Sequence, residues 1–238
     1  MLTLKRFMLF AAIFVVLPVM VTAQTRPGLT PGIPEMTVEQ SYLQESIELM
    51  IIREQARAEG RDMKMVALQF IGEAIERGSR NDELRVTLEF LAMEGVLNVA
   101  RENGRVVNNF PDVRRQAATY LGRLGTPEAA NALIRMVSVD NEPMVITEAI
   151  RSLGVIGMND NDEAVNTIAW TVNRFNNLNP DNMMALSAIE AFERLSAVNG
   201  GHMSHTAVQT LIRIAEGSYI RPVRQRARLA LSDLRGVQ

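Results

Sequence analysis

The chain has 238 residues, of which 47% are hydrophobic, 22% are charged and 5% are aromatic, and none is cysteine. This apolar fraction excludes a disordered chain, and the lack of cysteine excludes disulfides, thiolate metal sites and a cysteine nucleophile. The 25 basic and 27 acidic residues give a formal charge of −2, which provides no general attraction to nucleic acid or to an anionic membrane.

Residues 1–23 are predicted to be a signal peptide. Lys5 and Arg6 precede an apolar run at residues 7–21, and small or compact side chains at the end of the run match a signal peptidase site before Gln24. The run of about 15 residues is shorter than the ~20 that cross a bilayer comfortably. We therefore expect export, to the periplasm or out of the cell. An uncleaved N-terminal membrane anchor is the alternative.

Residues 24–36 are predicted to be an extended linker. This short segment contains three prolines and two glycines, which disfavour a helix and favour an extended chain. The sequence that follows, residues 37–238, is expected to form the folded part of the protein.

The folded part is predicted to be all-α, with about ten helices. We find no convincing alternation of apolar and polar residues and no hairpin pattern between β-branched runs. The third helix is expected to run from Asn81 to near Gly104. Residues that can cap a helix recur along the chain: Thr37, Asp62, Asn81, Asp112, Thr126, Asn141, Asp160, Asn179 and Ser204.

Internal similarity predicts how these helices are arranged. Residues 113–125 align without a gap on residues 145–157, with valine, alanine, leucine and two glycines at the same positions. Weaker copies occur at residues 63–74, 184–195 and 223–234. Repeats at the spacing of a helical hairpin indicate an α-solenoid, in which antiparallel helical hairpins stack on one another.

The run PDVRRQAATYLGRLGTPEAANALIRMV, at residues 111–137, resembles a HEAT repeat of the short, phycobilisome-lyase-like kind. The resemblance is clearest over residues 111–177. The resemblance implies a HEAT-like or armadillo-like superhelix that binds partners. The family's repeat has no catalytic residue that could be assigned to a position of this chain. Glu193 and Ser232 stand where earlier repeats have glycine, so we expect the later repeats to pack with different spacing.

The last helix carries a cationic stripe where earlier repeats have an apolar stacking face. We define the C-terminal stripe as Arg221, Arg224, Arg228 and Arg235, which fall on one side of a helix. One explanation is a solubilising cap, which solenoids require at their ends. The other is a docking site for an acidic partner or an anionic surface.

A second candidate surface is a polar ridge along the repeat helices. Arg115, Arg151 and Arg194 are its candidate binding residues, and polar neighbours accompany them: Thr119, Arg123, Glu148 and Glu190. Aligned ridges of this kind form the binding surface of a solenoid. A face that is merely solvated explains the same pattern.

Other candidate chemistry is weak. The two histidines, His202 and His205, lack a third ligand, and residues 159–163 depart from a calcium-binding loop at its glycine and glutamate positions. Turn and capping roles explain both, so no metal or cofactor is expected. An apolar face of the first helix could cap the stack or pair with another molecule; it consists of Leu43, Ile47, Met50 and Ile51.

Together these features favour an exported, non-catalytic scaffold that binds another protein in the periplasm or cell envelope. No serine-hydrolase, zinc-protease, phosphate-loop or dinucleotide motif occurs in the sequence. Two alternatives stay open. One is an enzyme or a lyase-like enzyme subunit built on the solenoid. The other is a membrane-tethered envelope component that retains its N-terminal segment, the one case in which a membrane is an expected partner. Nucleic acid is not expected as a partner.

Overall fold

The computed structural model describes residues 37–198 and 200–235. The predicted signal peptide and linker lie outside these residues. Contacts divide the chain into two units, Met1–Ser41 and Tyr42–Gln238. Of the first unit the structure describes only Thr37 and the first residues of a helix.

The described residues form ten α-helices, one short 3₁₀ helix and one small β-hairpin. Their bounds are α1 (Val38–Arg57), α2 (Arg61–Glu76), α3 (Asp82–Ala92), β1 (Arg101–Glu102), β2 (Arg105–Val106), α4 (Pro111–Leu124), α5 (Pro127–Val139), α6 (Pro143–Ile156), the 3₁₀ helix (Asp160–Asp162), α7 (Glu163–Leu178), α8 (Asn182–Val198), α9 (His205–Glu216) and α10 (Arg221–Arg235).

The helices of the second unit pack in two alternating series. In one, α2, α4, α6, α8 and α10 each contact the next; in the other, α3, α5, α7 and α9 do the same. Pairs such as α5 with α6 and α9 with α10 join the two series. This arrangement confirms the prediction of an all-α, HEAT-like solenoid built from neighbouring helix pairs. No helix among the described residues has the length and apolar character needed to cross a membrane.

Short-range signals explain where the central helices begin and end. Gly125 ends α4 in the left-handed conformation, with φ of 67°, which glycine adopts without steric cost. The Thr126 hydroxyl then accepts a hydrogen bond from the Ala129 backbone N–H at 3.2 Å, and Pro127 occupies the first turn of α5. Asn81 and Ser204 cap α3 and α9 in the same way.

Several predicted caps were wrong by a few residues. Asp62 lies inside α2, whose N-cap is Gly60, and Asp112 lies inside α4, which begins at Pro111. The helix expected from Asn179 begins at Asn182, where the Asp181 carboxylate accepts a hydrogen bond from the Met184 N–H at 2.8 Å. In α4, proline supplies the first helical position without needing a capped N–H, which displaces the predicted start.

The prediction for the third helix was also wrong, and so was the absence of a hairpin. The helix ends at Ala92, and the chain then forms an irregular loop that contains β1 and β2. Asn103 and Gly104 make the turn between the strands, with φ of 49° and 80°. Two consecutive residues with positive φ are typical of the tight hairpin turn that Asn-Gly favours.

Close packing between repeats depends on glycine at two equivalent positions. A Cβ atom on Gly122 would lie 2.7 Å from the Ser152 Cβ, and one on Gly154 would lie 2.9 Å from the Ala191 Cα. These glycines therefore allow α4 to approach α6, and α6 to approach α8, more closely than a larger residue permits. In α8 the equivalent residue is Glu193, whose carboxylate contacts Arg226 of α10 through two hydrogen bonds, one of 2.6 Å.

Candidate functional site

The structure brings the predicted polar ridge together across three stacked helices. Arg115 on α4, Arg151 on α6 and Arg194 on α8 are all exposed. Glu148 of α6 interacts with the first two of these helices: it accepts a hydrogen bond from the Thr119 hydroxyl of α4 at 2.7 Å and another from the Arg151 Nε at 2.9 Å. The charge of Arg151 is thus compensated by Glu148, whereas Arg115 and Arg194 form no ion pair among the described residues.

The ionisation of Glu148 reflects this compensation. Burial alone would raise the pKa of its carboxyl, but hydrogen bonds from Arg151 and Thr119 and the positive charges of Arg151 and Arg115 outweigh burial and lower the pKa below its ordinary value. The hydrogen bond to Glu148 raises the pKa of Arg151 in turn, and the charge of Glu190 adds to the effect. Both groups are therefore held in their charged forms.

The C-terminal stripe is less well compensated. Arg221 and Arg228 are exposed and Arg224 is half-buried, whereas the side chain of Arg235 lies outside the described part of the chain. Arg228 donates a hydrogen bond to the Ala215 carbonyl oxygen at 3.2 Å. The Arg224 Nε is buried and has no acceptor within residues 37–198 and 200–235.

The residues singled out for weaker reasons have structural roles. The Asn159 side chain donates to the Asp162 carboxylate at 2.7 Å and accepts from the Val165 N–H at 3.2 Å, so this segment is a turn that leads into α7. His205 is exposed and its Nε2 lies 2.8 Å from the Gln209 Nε2. In the described ranges, no three His, Asp or Glu side chains are grouped so that they could hold a metal ion.

The apolar face of α1 is uncovered within the described chain. Leu43, Ile47 and Met50 expose between 56% and 61% of their surface, and Ile51 exposes 46%. These four residues therefore do not cap the stack formed by the described helices.

The structure also contains a cleft that the sequence analysis missed. It has a volume of about 570 Å³ and lies between the end of α1, the helices α2 and α3, and the loop that follows α3. Lys64, Glu94 and Asn108 line it, and they are 2%, 3% and 8% exposed. Charged side chains this deeply buried are rare unless they are paired.

These three side chains form one group, joined by an ion pair and a hydrogen bond. The Lys64 Nζ donates to the Ala56 carbonyl oxygen at 2.9 Å, lies 3.2 Å from the Glu94 Oε1 and sits 5.6 Å from the centre of the Phe90 ring. The Asn108 Nδ2 donates to the same Glu94 Oε1 at 2.9 Å. The other carboxylate oxygen of Glu94, Oε2, is buried and has no donor among the described residues.

A buried ion pair fixes the loop behind this group. The Arg114 Nε lies 2.7 Å from the Asp140 Oδ2, and Arg114 Nη1 donates to the Glu94 backbone oxygen at 3.0 Å and to the Asn109 Oδ1 at 2.8 Å. Gly95 allows the loop to close, because a Cβ atom there would lie 2.5 Å from the Asn108 backbone oxygen. Arg114 therefore holds the residues that shape the cleft.

A signal for the cleft was present in the helix patterns. Lys64 precedes Ala67, Leu68 and Ile71 on the buried stripe of α2. A charged residue at such a position must find a partner inside the fold, so it indicates a buried polar site. Arg114 stands in the same relation to the apolar stripe of α4. No such pattern marks Glu94 or Asn108, which lie in an irregular loop.

Comparison with known families identifies the central helices. Residues 105–173, which include α4, α5 and α6 and part of α7, match the family model for HEAT repeats. A search of the curated proteins found no match.

Proposed function

The chain contains HEAT repeats, and we propose that it is an exported, non-catalytic scaffold that binds another protein in the periplasm or cell envelope. HEAT repeats are often used for protein interaction. We further propose that an acidic segment of the partner docks on the C-terminal stripe of α10. The observation that carries this second step is that Arg221, Arg224 and Arg228 of α10 form no ion pair with any residue that the structure describes, whereas Arg226 pairs with Glu193.

The arginines of the stripe differ from those that are paired with an acid elsewhere on the surface. Arg226 of α10 is paired with Glu193, Arg123 of α4 lies 3.2 Å from Glu76, and Arg151 is paired with Glu148. Within residues 37–198 and 200–235, Arg221, Arg224 and Arg228 form no ion pair. An acidic segment would supply the missing countercharges and would be attracted to this surface over a distance set by the ionic strength.

A solubilising cap explains part of this pattern. In α6 and α8 the equivalent positions are apolar and buried, as with Ile146 and Ile150 of α6, because the next helix covers them. A cap accounts for exposed arginines that follow the last repeat. It gives no reason for the buried Arg224 Nε to lack an acceptor, since an unpaired buried donor is unfavourable. A carboxylate of a partner would complete its hydrogen bonding once the half-buried Arg224 side chain turned towards the surface.

The proposed export and lack of catalysis depend on the sequence. The N-terminal residues have the pattern of a cleavable signal peptide, and no known catalytic motif accompanies the repeats. N-terminal sequencing of the protein purified from its native cells tests whether the protein is exported with cleavage of its signal peptide. A start at Gln24 supports export with cleavage, and a start at Met1 supports the membrane-tethered alternative.

Site-specific crosslinking tests the docking surface. A photo-crosslinking amino acid in place of Gln225, which is exposed on α10, should capture a specific protein from intact cells. The matched control places the same amino acid at Arg115 on the polar ridge. Capture of the same protein at both positions with equal yield, or only at Arg115, would contradict docking on α10.

A further inference from the structure

We propose that the cleft beside Lys64, Glu94 and Asn108 is a binding site for an uncharged hydrogen-bond donor, such as a carboxamide, carried on an apolar body. The site lies at α2 and α3, whereas the C-terminal stripe lies on α10 at the other end of the helix series. The inference is therefore independent of the proposed docking surface.

The unpartnered carboxylate oxygen of Glu94 indicates that the site lacks a hydrogen-bond donor. Glu94 lines the cleft and is 97% buried, since its exposed fraction is 3%. Its Oε1 accepts from Asn108 and lies 3.2 Å from the Lys64 Nζ, while its Oε2 has no donor within the described chain. A carboxylate can accept several hydrogen bonds, and the terminal torsion of glutamate is broad. Turning the carboxylate about this torsion would present Oε2 to a donor in the cleft.

The charges around Glu94 select an uncharged donor. The Lys64 ammonium already neutralises the Glu94 carboxylate at 3.2 Å, so a cationic ligand would add an uncompensated charge to a buried site. An anionic ligand would bring no donor and would approach the carboxylate. The rim does not favour either sign, because it carries two basic and two acidic side chains: Arg57, Arg101, Glu59 and Glu102.

The walls and the volume indicate the rest of the ligand. Phe90, Val99 and Val107 line the cleft and are partly exposed, at 37%, 40% and 43%. These side chains offer an apolar surface beside the polar floor. A cleft of about 570 Å³ lies within the usual range for sites of small ligands or single side chains. The carboxamide thus comes either from a free small molecule or from an asparagine or glutamine side chain of a bound peptide.

Four probes that share an isobutyl group separate the possible chemistries. Isovaleramide is an uncharged donor, 4-methyl-2-pentanone is uncharged without a donor, isovalerate is an anion and isoamylamine is a cation. Their affinities for the purified protein are measured by NMR titration, with shifts at Ala100 and Val107 reporting on the cleft. We expect isovaleramide to bind about tenfold or more tightly than each of the other three, because it alone pairs the carboxylate without adding charge.

The variant Glu94→Gln tests whether Oε2 is responsible. With an amide at position 94, the oxygen still accepts from Asn108. The amide nitrogen, which is a donor, then stands in place of Oε2, which is an acceptor. The advantage of isovaleramide over the ketone should therefore disappear, whereas the exposed control Glu128→Gln should keep it. The probe series in the unmodified protein stands by itself if Glu94→Gln does not fold.

The outcomes separate the proposal from its alternatives. Equal affinities for all four probes, a preference for the amine or for isovalerate, or shifts confined to residues outside the cleft would overturn it. Retention of the amide preference in Glu94→Gln would also overturn it. Capped glutamine and capped asparagine are then compared with isovaleramide. Tighter binding of either capped residue assigns the donor to a peptide. Tighter binding of isovaleramide assigns it to a free molecule. Both results support the proposed binding site in the cleft.

Discussion

Arg114 and Asp140 form an ion pair that is almost completely removed from solvent. The Nε of Arg114 lies 2.7 Å from the Oδ2 of Asp140, and the two side chains are 1% and 2% exposed. The pair joins the start of α4 to the residue after α5, and Arg114 also donates to the backbone oxygen of Glu94. One guanidinium therefore connects a repeat hairpin to the loop of the cleft.

Removal of one partner of this pair should be costly. Asp140→Ala leaves the Arg114 charge buried without its carboxylate, and we expect the free energy of unfolding to fall by about 3–5 kcal/mol. The matched control is Glu76→Ala, which removes the acid from the exposed pair with Arg123 and should cost less than about 1 kcal/mol. Urea unfolding followed by circular dichroism measures both. Equal losses in the two variants would show that burial of the Arg114 pair does not matter.

The glycine contacts between repeats predict a loss of stability where helix propensity predicts a gain. In Gly154→Ala, the higher helix propensity of alanine should raise the free energy of unfolding by about 1 kcal/mol, and overpacking should lower it by about 1–3 kcal/mol. Because the Cβ would meet the Ala191 backbone, we expect the loss to prevail, by up to about 2 kcal/mol.

At Gly122, a second substitution should restore part of the stability that alanine removes. A Cβ there meets the Ser152 side chain, so Ser152→Gly should restore part of the stability lost in Gly122→Ala. Gly60→Ser is the control, since no atom lies within 4 Å of a Cβ at Gly60. Thermal unfolding of these variants checks the prediction. A higher melting temperature in Gly154→Ala than in the unmodified protein would rule out the close approach.

The loop beside the cleft should respond differently to substitution at its two left-handed glycines. Gly95 and Gly104 have φ of 73° and 80°, so alanine at either costs about 1–2 kcal/mol of backbone strain. Only at Gly95 does a Cβ also collide with the backbone of Asn108. We therefore expect Gly95→Ala to speed hydrogen exchange at Ala100 and Val107 far more than Gly104→Ala does. Similar exchange rates in the two variants would contradict the packing of Gly95.

The lowered pKa of Glu148 predicts a pH dependence of stability. Because the folded pKa lies below the ordinary value of 4.5, Glu148 contributes its full stabilisation above pH 4.5, and that contribution is lost as the pH falls through the folded pKa. The difference in unfolding free energy between the unmodified protein and Glu148→Gln should therefore shrink as the pH falls below 4.5. Urea unfolding at several pH values measures it, with Glu128→Gln as control. A difference that grows on acidification would reverse the assigned direction.

The sequence was most informative where structure depends on neighbouring residues. The turn from Gly125 to Pro127 and the caps at Asn81 and Ser204 could be predicted because each depends on a few consecutive residues. The Asn103-Gly104 turn was missed although it is local, because the flanking strands are two residues long and exposed, with no apolar alternation.

The cleft could not be predicted in the same way. The Arg114–Asp140 pair joins residues 26 positions apart, and the contact of Lys64 with Glu94 forms only when α2 packs beside the loop after α3. A buried charge on an apolar stripe indicates that a partner is needed, but not which residue provides it. The partner follows from tertiary packing, which the pattern within one helix does not contain.

Charge reversal on α10 shows whether a partner docks on the C-terminal stripe. The measurement is the affinity of the purified chain for the protein captured at position 225. Three chains are compared: the unmodified chain, a triple variant of the stripe and a triple control variant with the same change of charge. The stripe variant carries Arg221→Glu, Arg224→Glu and Arg228→Glu, and the control carries Arg115→Glu, Arg151→Glu and Arg194→Glu. We predict that the α10 variant binds about 30-fold or more weakly and that the control keeps most of its affinity. Unchanged binding by the α10 variant, or a greater loss in the control, would contradict docking of an acidic partner on the C-terminal stripe.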